Sequence, residues 1–122
     1  MKYEIEKISV AVARELGMEL EALKTTSKKQ ELKEARHWCM FFCCTEKAGS
    51  LREIGLFFGG RHYSTVIHAR DTIQDYIQVE KKSQRIFERL KICIDSALNN
   101  RDIDPYSHSM LTLAGVNFEG LI

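Results

Sequence analysis

The sequence predicts an all-α protein, a bundle of about five helices containing a pair joined by a glycine turn. Three observations carry this. Apolar residues recur at spacings of three and four through most of the chain, and no stretch alternates with the period of two that a half-buried strand needs. A single proline in 122 residues leaves the periodic segments uninterrupted. The hydrophobic share of 44% is enough for a chain of this length to bury one core without staples.

Each helix has its own signal. Ile5, Ile8, Val12 and Leu16 predict a helix over 3–16, stopped at Gly17. MELEAL (18–23) adds one further turn, and TTSKKQ reads as a connection whose Ser27 and Gln30 have the spacing of a capping box for the next helix. That next helix is long, with Leu32, Ala35, Cys39 and Phe42 on one face, Lys33, Arg36 and His37 off it, and an end near Lys47–Gly49. Ser50-Leu51-Arg52-Glu53 is a second capping box, followed at once by Ile54, Phe57 and Phe58. Gly59-Gly60 ends this short helix, since glycine alone takes a positive φ without steric cost. Val66, Ile67, Ile73 and Ile77 then mark a helix over 62–78, and Ile86, Leu90, Cys93, Ile94 and Ala97 another over 82–98. Trp38, Phe41 and Tyr76 read as core or partly core aromatics. Residues 1–98 are expected to form one domain, and 99–122 an extension that packs partly or binds a partner.

Charge and cysteine usage narrow the class. The net charge is only +1, but residues 24–70 hold nine Lys/Arg against four Asp/Glu, between two acidic ends. A cationic middle fits one basic face. No apolar run is long enough to span a membrane. The N-terminus shows no secretory signal, and four clustered cysteines fit a reducing, cytoplasmic setting. His37, Cys39, Cys43 and Cys44 lie within eight residues. One straight helix cannot wrap four such ligands round an ion, so they read as core thiols and no metal or other cofactor is expected.

A capped short helix, a Gly-Gly turn and a second amphipathic helix are the parts of a helix-turn-helix. In such a unit the second helix fits the DNA major groove and its N-terminal residues reach base edges. Here that end is Arg61-His62-Tyr63-Ser64-Thr65, five side chains rich in donors and acceptors.

LREIGLFFGGRHYSTVIHARDTI (51–73) resembles the signature of the C-terminal DNA-binding domain of the DnaA replication initiators. Leu51, Ile54, Gly55, Phe58, Gly59, Gly60, Arg61, Ser64, Thr65, Val66, His68 and Ala69 stand in register with it, and Ala35-Arg36 stand where the family carries a helix arginine. The resemblance covers roughly residues 5–96. It implies a helical bundle of the DnaA C-terminal, Trp-repressor-like type that binds double-stranded DNA and is not an enzyme. It further implies a basic loop in the minor groove and a helix-turn-helix in the major groove. Lys28 stands at the family's minor-groove arginine and Arg36 at a basic DNA-contacting position. His62 and Tyr63 stand at an aspartate and a histidine of the reading helix, and Ser64 and Thr65 keep its hydroxyls. With Lys29, Ser50 and Arg61, these residues form the expected DNA-binding set. His68 reads as a structural histidine tying the helix pair.

Two departures shape the expectation. Asp-His has become His62-Tyr63, which argues against carrying over the initiator's DNA box. No GxxxxGK[ST] occurs, so no nucleotide cofactor is expected, and the chain reads either as a stand-alone replication or transcription regulator or as a fragment of a longer protein. The competing expectation is a DnaA-like protein-interaction module that docks a protein partner through residues 99–122.

Overall fold

The computed structural model describes residues 2–99, which form six helices and no strand: α1 (Lys2–Glu15), α2 (Leu20–Leu23), α3 (Gln30–Thr45), α4 (Leu51–Phe57), α5 (Tyr63–Val79) and α6 (Lys81–Asn99). The all-α expectation stands. The count rises from five to six because MELEAL closes a true turn, α2. The extension from residue 100 onward, and with it the expected partner-binding role, lies outside the described residues.

Helix α3 is the centre of the bundle. Of its residues from Ala35 to Cys43, all but His37 are buried, so the single apolar face expected there is a buried cylinder. The reason is its surroundings: α1, α2, α4 and α5 all pack against it. Helix α6 closes the remaining side through Phe87, whose ring stacks on Phe42 at 5.5 Å and meets Phe41 edge-on at 6.1 Å. Trp38 completes this aromatic group, 6.2 Å from both Phe41 and Phe42. Such ring pairs add about 0.5–1.5 kcal/mol each beyond area burial. Tyr76 does not join them. It stands 45% exposed on α5, a correction to the core reading, because it lines an open cleft between α5 and α3 instead of entering the packed aromatic group.

The helix ends follow local chemistry. Helix α1 stops in a Schellman motif: Gly17 has φ +74°, and the Met18 amide donates to the Ala13 carbonyl at 2.8 Å. Helix α3 ends the same way at Thr45, two residues before the expected stop, with Lys47 at φ +54° and the Ala48 amide on the Cys43 carbonyl at 2.9 Å. At the start of α3 the expected Ser27–Gln30 box is absent. Lys29 is the N-cap and gives no side-chain cap, because Ser27 Oγ accepts instead from the Lys29 amide at 3.3 Å. The Ser50–Glu53 box does form, with Ser50 Oγ accepting from the Glu53 amide at 3.1 Å and Glu53 Oε1 from the Ser50 amide at 2.8 Å.

Two glycines of the α4–α5 turn separate steric from conformational demand. A Cβ on Gly55 would sit 2.2 Å from the Arg61 carbonyl oxygen, whereas one on Gly60 (φ +73°) meets nothing within 4 Å. Gly55→Ala should therefore cost about 3 kcal/mol, as overpacking against backbone does. Gly60→Ala should cost only the left-handed strain of about 1–2 kcal/mol. Urea midpoints of the two variants check this, and equal costs would remove the close approach as the cause.

Candidate nucleic-acid interface

The site is built from the turn outward. After α4 the chain passes through Phe58 and two left-handed glycines, Gly59 (φ +88°) and Gly60 (φ +73°), and the Arg61 amide closes back on the Gly55 carbonyl at 2.8 Å. The α4 backbone at Gly55 thus touches the strand of chain that enters α5. This contact aims α5, since no side chain intervenes.

His62 is the N-cap of α5, with φ −65° and ψ 150°. Its Nδ1 accepts from the Ser64 amide at 3.1 Å and lies 2.9 Å from Ser64 Oγ. An amide N–H only donates, so Nδ1 carries a lone pair and the ring proton sits on Nε2. Ser64 O–H is then the donor in the second contact. The cap thereby sets both polarities: a donor on the far side of His62 and free lone pairs on Ser64. The Tyr63 ring lies 4.3 Å from that of His62, tilted by 30°, and is 48% exposed. His62, Tyr63 and Ser64 are exposed, and Arg61 and Thr65 are half-buried.

The connection 24–29 lies against the turn. Its backbone is folded by its own hydroxyls: Thr25 Oγ1 accepts from the Ser27 amide and Ser27 Oγ from the Lys29 amide, both at 3.3 Å. Lys28 and Lys29 are exposed, and neither pairs with a carboxylate among the described residues. Arg36, expected on the outer face of α3, is only 4% exposed, and its Nη2 donates to the Ser27 carbonyl at 2.6 Å. Arg61 Nη1 donates to the Thr25 carbonyl at 3.0 Å and to the Phe58 carbonyl at the end of α4. Lys24 Nζ lies 4.7 Å above the Phe57 ring, and the Lys24 carbonyl leaves no room for a Cβ on Gly59, which would sit 2.7 Å away. Burial, and then the nearby Arg61 charge, lower the Arg36 pKa from its ordinary value.

The structure thus brings Lys28, Lys29, Arg36 and Arg61 to one region with the start of α5. Ser50 is at the opposite end of α4 from the turn, its hydroxyl occupied by the Glu53 amide. Residue-type reasoning missed Lys24, Thr25, Ser27 and Phe58, which act through backbone carbonyls that no side-chain pattern reveals. Gly59 carried the one available signal, a second glycine where a single one would end the helix.

Comparison with known proteins agrees with this geometry. The family described as "Bacterial dnaA protein helix-turn-helix" matches residues 5–73. The chain belongs to this family. The chromosomal replication initiator protein DnaA of Chlorobaculum tepidum is 37% identical over 87 residues, which cover 71% of this chain and 18% of that protein. That of Streptococcus uberis is 38% identical over 82 residues, covering 67% of this chain and 18% of that protein. That of Mesoplasma florum is 33% identical over 87 residues, covering 71% and 20%. The chain therefore spans no more than about a fifth of the length of these relatives. The family is a DNA-binding helix-turn-helix family, and the described residues hold no helix long and apolar enough to cross a membrane.

Beside the DnaA-type turn, α3, α5 and the start of α6 enclose a cleft of about 510 Å³ floored by Trp38 and edged by His37 and His68. The two imidazoles meet edge-on with centroids 6.2 Å apart, which is the contact His68 makes with α3. Among the described residues no group of three or more His, Cys, Asp or Glu is placed to hold a metal ion. Cys39 is fully buried, and burial pushes its thiol up to about 12. It packs as a small apolar residue.

His37 is pushed down from 6.5 to about 4, first by burial and then by the Lys33, His68 and Arg36 charges, with Glu34 opposing. A depressed base is neutral in the fold while the unfolded chain takes up its proton earlier. The associated stability is complete above about pH 6.5 and is lost as pH falls through about 4. Allowing for solvent screening at a half-buried ring, the loss is on the order of 1–2 kcal/mol. Urea unfolding from pH 7 to pH 4 should show it, and His37→Gln should flatten that slope. An unchanged slope in the variant would mean that His37 is not the titrating group.

Proposed function

We propose that this domain binds double-stranded DNA with a sequence preference, with the first turn of α5 in the major groove and the 24–29 loop against the adjacent minor groove. The observation that carries the reading is the joint presentation of two different surfaces. One is an exposed polar helix start aimed by a backbone-on-backbone turn. The other is a basic loop whose Lys28 and Lys29 have no acidic partner among the described residues. Helix N-termini also favour phosphate oxygens through their free amides. The process is replication initiation or its regulation, which the relatives' name, chromosomal replication initiator protein, supports. The mechanism is binding rather than catalysis: lysines and α5 amides fix the register on phosphates, and His62 to Thr65 read base edges.

The cap polarity makes the reading specific. Nε2–H of His62 is a donor, so it suits guanine N7 or O6, thymine O4 or adenine N7, and it rejects the amino edge of cytosine. An aspartate at the same cap would present acceptors only and favour the amino groups of cytosine or adenine.

Two measurements test this. Neutralising about five phosphates should lower affinity on the order of 10²–10³-fold between 50 and 200 mM salt in a gel-shift series. Binding that ignores salt would contradict the phosphate-anchored mode. Selection from a random duplex pool should enrich a motif, and the H62D variant should enrich one changed at a single base pair, towards cytosine, the base a donor cannot read. Identical motifs for both proteins would remove His62 as a reader.

A further inference from the structure

Arg36 and Arg61 are unusual cations. Neither touches a carboxylate among the described residues; both spend donors on backbone carbonyls, and those carbonyls belong to the two elements that face DNA in the reading above. Arg36 Nη2 holds the Ser27 carbonyl from below, out of a site 4% exposed. Arg61 Nη1 bridges the Thr25 carbonyl of the loop and the Phe58 carbonyl of the turn. Gly59, packed on the Lys24 carbonyl, and Lys24 Nζ over Phe57 fasten the same two elements. Arg36 Nη1 is buried with no partner among the described residues. A buried guanidinium beside a second one is costly, and a solvated basic surface would have no need of it.

We infer that Arg36 and Arg61 are positioning residues that lock the 24–29 loop to the helix-turn-helix turn, so that minor-groove and major-groove contacts are made as one rigid unit. The inference rests on the duplex-binding reading. It replaces a direct DNA contact by Arg36 with an indirect one: Arg36 sets where Lys28 and Lys29 stand. Their flanking carbonyls at Ser27 and Thr25 cannot shift without breaking a charge-assisted bond, each stronger than a neutral one. A preorganised loop loses less entropy on docking than a free lysine tail does.

Dimethyl sulfate footprinting tests this, because it methylates guanine N7 in the major groove and adenine N3 in the minor groove. The probe is a duplex enriched by the wild-type domain from a random pool. Wild type should protect both atoms. Arg36→Met, which fills the buried site with an apolar chain of similar length, should lose adenine-N3 protection and keep guanine-N7 protection. Affinity should fall about tenfold, and adding Lys28→Ala with Lys29→Ala should cost no more than the lysine changes do alone. Circular dichroism reports whether each variant folds. If Arg36→Met does not, Arg61→Met cuts the second tie from a half-exposed position and is held to the same outcome. Protection lost equally in both grooves by a folded variant, protection kept in both, or additive losses would overturn the inference while leaving duplex binding intact. Wild type that protects guanine N7 and never adenine N3 would overturn it as well. No retention of any duplex by wild type would instead end the functional reading, and the coupling with it.

Discussion

Two backbones touch where α4 meets α5, and the direction of α5 depends on that contact. With Gly55 against the Arg61 carbonyl, the angle between the two helices is set by peptide groups rather than by side chains that repack. A contact without rotamers has little freedom to adjust. The glycines that follow it serve the same end differently: Gly59 needs both its left-handed φ and its missing Cβ, because the Lys24 carbonyl occupies that space. The loop 24–29 is therefore seated on the turn before any arginine acts.

Electrostatics then give the seat its character. The basic stretch was visible as nine cations over residues 24–70, yet those cations divide into two kinds. Lys28 and Lys29 stand in solvent, where a charge retains its hydration until it meets a phosphate. Arg36 and Arg61 turn inward to carbonyls, where they organise chain. Arginine suits the second task and lysine the first, because a planar fork holds a carbonyl in a fixed direction and an ammonium does not. The aromatic group of Trp38, Phe41, Phe42 and Phe87 packs α3 against α6.

Much of this was legible from residue order. The Ser50–Glu53 box, the Gly17 stop and the stripe Val66–Ile73 on α5 are local patterns, and local patterns survived into the fold. The misreadings share a cause. Helical phase places Arg36 outside and residue type places Tyr76 in the core, but burial depends equally on what lies across the gap. A loop folds down over Arg36, and Tyr76 stands at an open cleft, 45% exposed. Ser27 had the right spacing for a cap and lost it to a neighbouring turn in which its hydroxyl takes the Lys29 amide. Within the candidate site, side-chain identities pointed to the loop and to the start of α5. The carbonyls that join them were invisible, because every residue type carries one.

His62 shows how a departure from a family pattern acquires physical content. By sequence it is a histidine where the family has an aspartate. In the fold it still caps α5, so the substitution keeps the helix start and changes the polarity offered outward. Retained architecture and altered presentation therefore come from one atom, Nδ1, being occupied.

The central claim is that loop and reading helix form one DNA-facing unit. Titration of the 15N-labelled domain with a selected duplex, followed through backbone amide resonances, tests it most directly. The account predicts that residues 24–29 and 61–65 shift together with a single saturation curve, while α1 and α6 stay in place. Separate curves for the two segments, or shifts concentrated on α6, would contradict it.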